Sequence, residues 1–587
     1  IEENADKTPV NYVLPPGVSR EIDPSQQQVR QENEQSMVIK VLNLSPKDAR
    51  AMYKKLGGYD MRQYGQLEMF VHAEALPDEM NELKDNDLKL FIRLGSDYQN
   101  NYYEYEVPLT VTPEGQYSNN VTSDREMVWP KNNKITLPLD FLAELKKARN
   151  EEKARQGSSV TNLTPYTLMD FDNPNNRMTI VGNPSLGEVE VLMIGVRNAS
   201  RTQKSAEIWV DELLLTNFNE QGGVAARASL DLALSDFIKV NAAGRLETIG
   251  YGGVEQKVQE RRQDDYYQYN VNASIELGKL FPESANVTFP VRYSLSQEIV
   301  NPKYNPLDKD ILLNEALAST SSKEMRDSIL NVAQDRVITQ SLSVPAVRVG
   351  ISSKKGQRPW DPANFTIGGS YSETVSRDPN TTRQVDQYCN AYGSYEFSWT
   401  PDVVEPFAKI ESLKKSKYGK FLTDFGFYYA PKLISFKTNF TRNYYEQVVR
   451  DFESQEGTID PSFAHDFMWN NDFDFAWDLT KNIKLTLTTS NRSLINENEG
   501  GVNSELYPDE YQMWKDSVWA SLRELGSPQD YNQRFTASWA VPFNKTQLFN
   551  WVNANFKYDG NYQWVHGTDV IANTANSKGT WQLDGKF

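Results

Sequence analysis

The sequence predicts an all-β-dominated chain. A soluble β-sandwich (jelly-roll-like) domain with a few helices comes first, and part of a very large antiparallel transmembrane β-barrel follows. Three observations carry this expectation. From Gly222 onward, segments of roughly 8–11 residues alternate apolar and polar side chains with period two, the length and pattern of a tilted strand crossing a bilayer. Aromatic residues make up 12% of the 587 residues, a supply for the rings that gather at membrane interfaces. The chain has no run of 18 or more apolar residues and a mean hydropathy of −0.63. That excludes a transmembrane helix and suits strands that are apolar on one face only.

Bulk charge narrows the classes further. A net charge of −17 argues against nucleic acid as the partner, because phosphate binding needs a basic face. Cys389 is the single cysteine, so the fold rests on sheets and burial and not on disulfides. His72, His465 and His566 are the three histidines, too few and too scattered for a histidine-based metal site. The chain begins at Ile1 without Met and ends inside an alternating segment, Trp581 to Phe587. Both ends therefore read as cut, with further strands expected outside, and barrel diameter grows with strand number.

Residues 1–36 are polar and aperiodic, with Pro15-Pro16-Gly17 and Gln26-Gln27-Gln28, and read as an extended lead-in segment. Residues 37–218 read as the soluble sandwich. Met37–Val41 is a strand candidate, and Ser45-Pro46 opens a helix running to Tyr53, with Ser at the N-cap and Pro at N1. Strands follow at Gln66–Glu74, Leu88–Gly95 and Tyr102–Leu109, a helix from Leu139 to about Arg155, and strands at Val189–Val196 and Ile208–Leu215. The last strand resembles the closing strand of carbohydrate-binding sandwiches, which raises a glycan site beside the plain structural reading. Asp170 and Asp172, in an oxygen-rich loop, are weak calcium candidates; turn chemistry explains them equally well.

Residues 219–587 read as barrel strands. Ala226–Leu234, Asn270–Leu277, Val287–Leu295, Ala391–Trp399, Phe473–Leu479, Ile483–Leu487, Phe535–Val541 and Val552–Tyr558 all alternate, and about a dozen such segments fit the template. Tight links at Leu277–Ser284 and Val541–Phe549 contrast with long helical loops at about 301–335 and 496–530, as short turns and long outer loops do in outer-membrane barrels. Trp399, Tyr428, Tyr429, Trp539, Trp551 and Trp564 fall near strand ends and are expected at the membrane interface. Small residues are expected on the polar face.

Catalytic spacing is absent: no Gly-x-Ser-x-Gly, His-Glu-x-x-His, Walker A or Cys-x-x-Cys occurs. The His465-Asp466 dipeptide lacks a nucleophile to serve. The expectation is a protein that is not an enzyme, with no catalytic residue, no cofactor and no firm metal site.

Three stretches resemble the SprA/Sov family, the outer-membrane translocon of the type IX secretion system: Asn11–Arg20, Ile208–Phe218 and Asn301–Asp308. The resemblance implies an internal fragment of a protein-conducting channel in the outer membrane of a Gram-negative bacterium of the Bacteroidota. It implies passage of folded cargo to the cell surface, in support of gliding motility or virulence-factor export. The implied partners are outer-membrane lipid, a PorV-like shuttle barrel, a periplasmic plug protein and cargo with a C-terminal sorting domain. The chain is shorter than the family's proteins, so a complete pore is not expected from it alone. The alternatives are a TonB-dependent-receptor-like barrel, which needs a plug inside its own barrel, and a soluble β-sandwich adhesin, which needs a second layer over every apolar face.

Overall fold

The computed structural model describes residues 7–19, 35–76, 83–257, 260–320, 322–350, 358–415, 420–451, 458–545, 549, 551–567 and 571–586. The Gln26–Gln28 stretch lies outside them. Two compact units emerge. One comprises Ile1–Val224, Thr248–Asp264 and Pro302–Ile329, and the other the rest.

The first unit is built from β1 (Met37–Leu44), β2 (Ala49–Tyr59), β3 (Tyr64–Ala75), β4 (Leu88–Gly95), β5 (Tyr102–Pro108), α1 (Thr122–Val128), β6 (Ile135–Pro138), α2 (Leu139–Ala154), β7 (Tyr166–Met169), β8 (Arg177–Val181), β9 (Val189–Asn198) and β10 (Lys204–Phe218). One sheet runs β1-β10-β3-β6 and the other β2-β9-β4-β5-β8-β7. With the β7–β8 hairpin set aside, the chain switches between two four-stranded sheets in jelly-roll order. Alternation sends Val71, Ala73, Ile208 and Val210 into a core shared with Leu90, Ile92, Met178 and Ile194 of the other sheet, closed at one side by Leu142 and Leu145 of α2.

The helix expected from Ser45 does not form. Ser45–Lys47 is a turn, with Asp48 N donating to Ser45 O, and Ala49 onward pairs with β9, Ala49 facing Arg197 and Tyr53 facing Met193. The Ser-Pro start signal is overridden because β9 would otherwise lose its ladder partner on that side. Gly57 and Gly58, both at positive φ, carry the register shift that ends this pairing.

The second unit is one antiparallel sheet of fourteen strands. Its path begins with β11 (Ala225–Leu234), β12 (Ile238–Glu247), β13 (Asp264–Glu276) and β15 (Pro290–Pro302), with the two-residue β14 (Val287–Thr288) set beside β18 (Asp335–Val349). Between β15 and β18 the hairpin β16 (Tyr304–Asn305) and β17 (Asp308–Leu312), with α3 (Leu313–Ala318), belongs to the sandwich unit; α4 (Lys323–Ala333) leads back. The path continues through β19 (Phe365–Arg377), β20 (Thr381–Ser398), β21 (Leu433–Val449), β22 (Ser462–Asp478), β23 (Ile483–Leu494), α5 (Glu411–Lys415) and α6 (Lys420–Thr423) lying between β20 and β21. It ends with α7 (Pro508–Arg523), β24 (Ser527–Val541), β25 (Asn553–Val565) and β26 (Thr574–Lys586).

Among the described residues β11 and β26 are the two open edges, so these strands form an open sheet and not a closed barrel. The expected Val287–Leu295 strand is broken: Val287 and Thr288 pair with Val349 and Arg348, and the ladder strand restarts at Pro290. Both rims mix loop lengths. The tight links at Leu277–Ser284 and Val541–Phe549 share a rim with the long connection Trp399–Lys432, and the long loops share the opposite rim with the turn at Asp378–Asn380. Pairing constrains only where adjacent strand ends meet, so loop length is free to vary at each rim.

Candidate functional site

The sheet of the second unit has two unlike faces, because opposed residues in an antiparallel ladder share a face. One carries Leu232–Val240–Ala273, Leu342–Tyr371–Cys389, Tyr395–Phe436–Phe473 and Trp539–Phe556–Leu583. The other carries Asp231–Asn241–Asn272, Ser294–Ser341–Ser372–Tyr388, Lys437–Asp472–Ser490–Asn532 and Ser538–Lys557–Gln582. Charges of both signs are interspersed on the polar face. A hollow of about 610 Å³ opens on it, lined by Asp231, Lys239, Asn272, Arg292, Ser294 and Ser343.

Among the described residues of this unit nothing covers most of the apolar face. Leu230 is 61% exposed, Ile367 65%, Leu342 46% and Phe436 43%. A monomeric soluble domain rarely leaves so continuous an apolar surface bare. Most strand serines follow the expectation and line the polar face, but Ser493 and Ser577 do not, and Gly244, Gly369, Gly393, Gly560 and Gly579 fall on the apolar face. There they make room for rings: a Cβ at Gly560 or Gly579 would meet the Tyr558 hydroxyl at 3.0 Å.

Toward the rim of the long loops the apolar face turns polar. Gln340, Glu373, Gln387, Tyr444 and His465 follow one another across β18 to β22. Tyr371 Oη donates to Glu373 (2.7 Å), and Gln387 donates to the same carboxylate (2.8 Å). Over this band lies the loop that carries α7. Glu497, 2% exposed, accepts from Arg442 Nε (2.6 Å) and Trp514 Nε1 (2.5 Å), and Tyr507 Oη donates to Glu446 (3.1 Å). The apolar zone is thus bounded on one side by a polar band clamped under a loop.

The predicted interface aromatics fall at both rims. At one rim Trp399 meets Tyr429 edge-on (centroids 5.5 Å), Trp477 Nε1 donates to Tyr428 O (3.1 Å), and Trp539 and Trp551 are 45% and 58% exposed. Trp564 belongs to the opposite rim, stacked on His566. Sequence reading marks Tyr444, with Tyr445, as an interface anchor but misses Tyr371, the other inner member of the second boundary. Their signal is a Tyr-x-Glu step that keeps ring and carboxylate on one face of a strand, Tyr371 to Glu373 and Tyr444 to Glu446.

The remaining candidates resolve locally. His465 and Asp466 point to opposite faces, His465 opposite Tyr444 and Asp466 opposite Asn443, and form no dyad. Asp170 is consumed by its own turn: Oδ1 accepts from Asp172 N and Asn173 N, and Oδ2 from Tyr105 Oη (2.5 Å). No group of three or more metal-ligating side chains occurs among the described residues.

The sandwich also holds a buried ionic centre that sequence reading did not find. Lys146 of α2, 1% exposed, meets Asp308 (2.6 Å) and Asp310 (3.1 Å) from the β16–β17 hairpin. Asp310 also accepts from Tyr103 Oη (2.5 Å) and Leu186 N (2.7 Å). Burial, then the Asp310 charge, pushes the Tyr103 hydroxyl well above its ordinary pKa.

A jelly roll followed by a single-layer antiparallel sheet with one polar and one apolar face defines the class: an all-β-dominated protein of two units. A family described as motility related/secretion protein (SprA_N) matches residues 1–317. That is more than half of the chain, and the chain belongs to this family. No curated protein matches it. No helix among the described residues is long and apolar enough to cross a membrane, which leaves strands untouched as a means of crossing.

Proposed function

We propose that the fourteen-stranded sheet is a stretch of the wall of a very large transmembrane β-barrel in the outer membrane of a Gram-negative bacterium. In this reading it belongs to the type IX secretion translocon and conducts folded proteins to the cell surface. The observation that carries the reading is the uncovered apolar face backed by a wet one. Lipid satisfies the first, and water with hydrated cargo satisfies the second. The interspersed charges of the polar face suit passage of a folded protein, since no large single-sign field would hold it. No bond chemistry is needed, and the protein acts as a conduit and not as an enzyme. Its partners are outer-membrane lipid, a PorV-like shuttle barrel, a periplasmic plug protein and cargo with a C-terminal sorting domain. The open edges at β11 and β26 call for further strands, because unpaired backbone in hydrocarbon is costly.

The test places single cysteines in a Cys389→Ala background of the full parent protein in lipid. Probes at Ile275, Leu485 and Phe556 should be quenched by brominated lipid, and probes at their neighbours Ser274, Thr486 and Lys557 by a water-soluble quencher. Equal water access for both sets would refute a lipid-facing wall, and the adhesin alternative predicts a dry interior at the first set.

A further inference from the structure

The outer surface of the β1-β10-β3-β6 sheet is covered by chain residues 7–18, which contribute no strand to it. Among the described residues their only bridge is Val10 to Gly115. They form no regular element before a turn at Pro16–Gly17, and side chains of α1 and its flanking loops read their backbone as a peptide is read. Asn119 Oδ1 accepts from Leu14 N (2.7 Å), Trp129 Nε1 donates to Val13 O (2.8 Å), and Arg125 donates to the carbonyls of Leu14, Pro15 and Val18. The Asn11 carboxamide donates to Tyr117 O and accepts from Tyr117 N (2.8 and 2.7 Å).

Side chains fill distinct pockets. Val10 and Val13 are fully buried, and Tyr12 sits between Trp129 and Trp209 with its hydroxyl on Asp211 (3.0 Å). Lys7 lies 4.7 Å over the Trp209 ring and is ion-paired to both Glu74 and Glu207. At the groove floor His72 Nε2 and Glu74 Oε2, 3.7 Å apart and almost wholly buried, have no hydrogen-bond partner among the described residues. The occupant therefore leaves part of the polar floor unmet.

The strap's apolar contacts form a cluster of their own, with Trp129 and Trp209, separate from the core between the two sheets. The sandwich closes without it.

We propose that this groove is a peptide-binding site and the strap its exchangeable ligand. The ligand is an extended peptide in the register Lys-x-x-Val-Asn-Tyr-Val-x-Pro-Pro, read by an amine slot between two carboxylates, a tyrosine slot between two tryptophans and two valine pockets. The recognition mode is capture of an extended segment through its backbone and alternate side chains.

The experiment uses the full chain with a protease site placed within residues 20–34, cleaved after folding. The readout is exchange of the released strap for a fluorescein-labelled peptide of residues 7–19. Exchange is expected, with Lys7→Ala in the peptide weakening it at least about tenfold and Tyr12→Ala about a hundredfold. Glu74→Gln with Glu207→Gln in the protein should match the Lys7 effect and leave the Tyr12 effect in place. Failure of excess peptide to displace the strap would overturn the proposal, as would loss of near-ultraviolet dichroism when the strap is washed away. Binding indifferent to both alanine peptides would overturn it too.

Discussion

Leu342 and Ser341 are neighbours in β18 at the same depth of the wall but on opposite faces. Leu342, 46% exposed, lies between Tyr293 and Tyr371, and Ser341 between Ser294 and Ser372. Arginine at Leu342 would project a guanidinium from the apolar face. If that face meets hydrocarbon, the cost is about 2–4 kcal/mol near the bilayer midplane. At the middle of that range the folded-to-unfolded ratio falls roughly a hundredfold. If the face meets water, a surface substitution stays within about 0.5 kcal/mol. Ser341→Arg, facing water and hydroxyls, should be near neutral under either view. The assay is denaturant unfolding of the parent protein in lipid vesicles, followed by the mobility difference of folded and unfolded barrels on gels. Equal, small effects of the two arginines would refute the lipid-facing assignment, and a larger cost at Ser341 would invert it.

Asp310→Ala should cost the sandwich about 3–5 kcal/mol by leaving Lys146 buried without one of its two carboxylates, and Lys146→Met in the same protein should recover much of the loss; thermal melts of single and double variants check this. Glu497→Ala should free the α7 loop, so that limited proteolysis between Asn496 and Gly526 speeds up roughly tenfold while cleavage elsewhere in the sheet is unchanged. The strap lock should be insensitive to pH over a wide window. Burial opposes the Glu207 charge most strongly, but the hydrogen bonds from Lys7 and Trp209 together with the Lys7 and Lys40 charges outweigh it and hold the carboxyl below its ordinary 4.5, so its contribution is present above 4.5 and lost as pH falls through the lowered value. Burial likewise opposes the Lys7 charge, and Glu207 and Glu74 outweigh it, holding the amine above 10.5, so its contribution is present below 10.5 and lost as pH rises through the raised value. Release rates of the cleaved strap measured across pH should be flat between those limits and rise outside them.

What the sequence made legible follows from period and burial. Alternation in Asn270–Leu277 or Phe535–Val541 is a local property, and it marks which face each side chain takes whatever the neighbouring strand is. The helix of α2 was equally local, a run of strong helix formers. At Ser45 a capping signal of about 1 kcal/mol met a ladder partner in β9 that lies far along the chain, and the distant partner prevailed. The pairing of Lys146 with Asp308 and Asp310 is invisible for the same reason: α2 and the β16–β17 hairpin meet only once the chain is folded, and one lysine in a helix rich in Lys and Glu reads as solvated. The strap reads as a linker because its Pro-Pro-Gly sequence has no period, and recognition by side chains of α1 and its flanking loops leaves none.

The two units handle charge in opposite ways, and the contrast bears on function. In the sandwich Glu104 and Glu106 are 4% and 1% exposed, and each meets arginines: Arg93 and Arg197 for Glu104, Arg177 and Arg197 for Glu106, with Lys89 also on Glu106. Such pairing withdraws charge from water only where partners are fixed, and it yields a rigid, closed body. On the polar face of the sheet, Lys437 and Asp472 or Lys484 and Asp478 stand opposite each other across strands, with Lys437, Asp472 and Lys484 exposed. Pairs of that kind contribute little to stability, so holding the sheet together does not account for their number. In the proposed reading they keep a broad surface hydrated with both signs of charge interspersed, which is the property a surface needs if folded proteins are to slide along it without adhering.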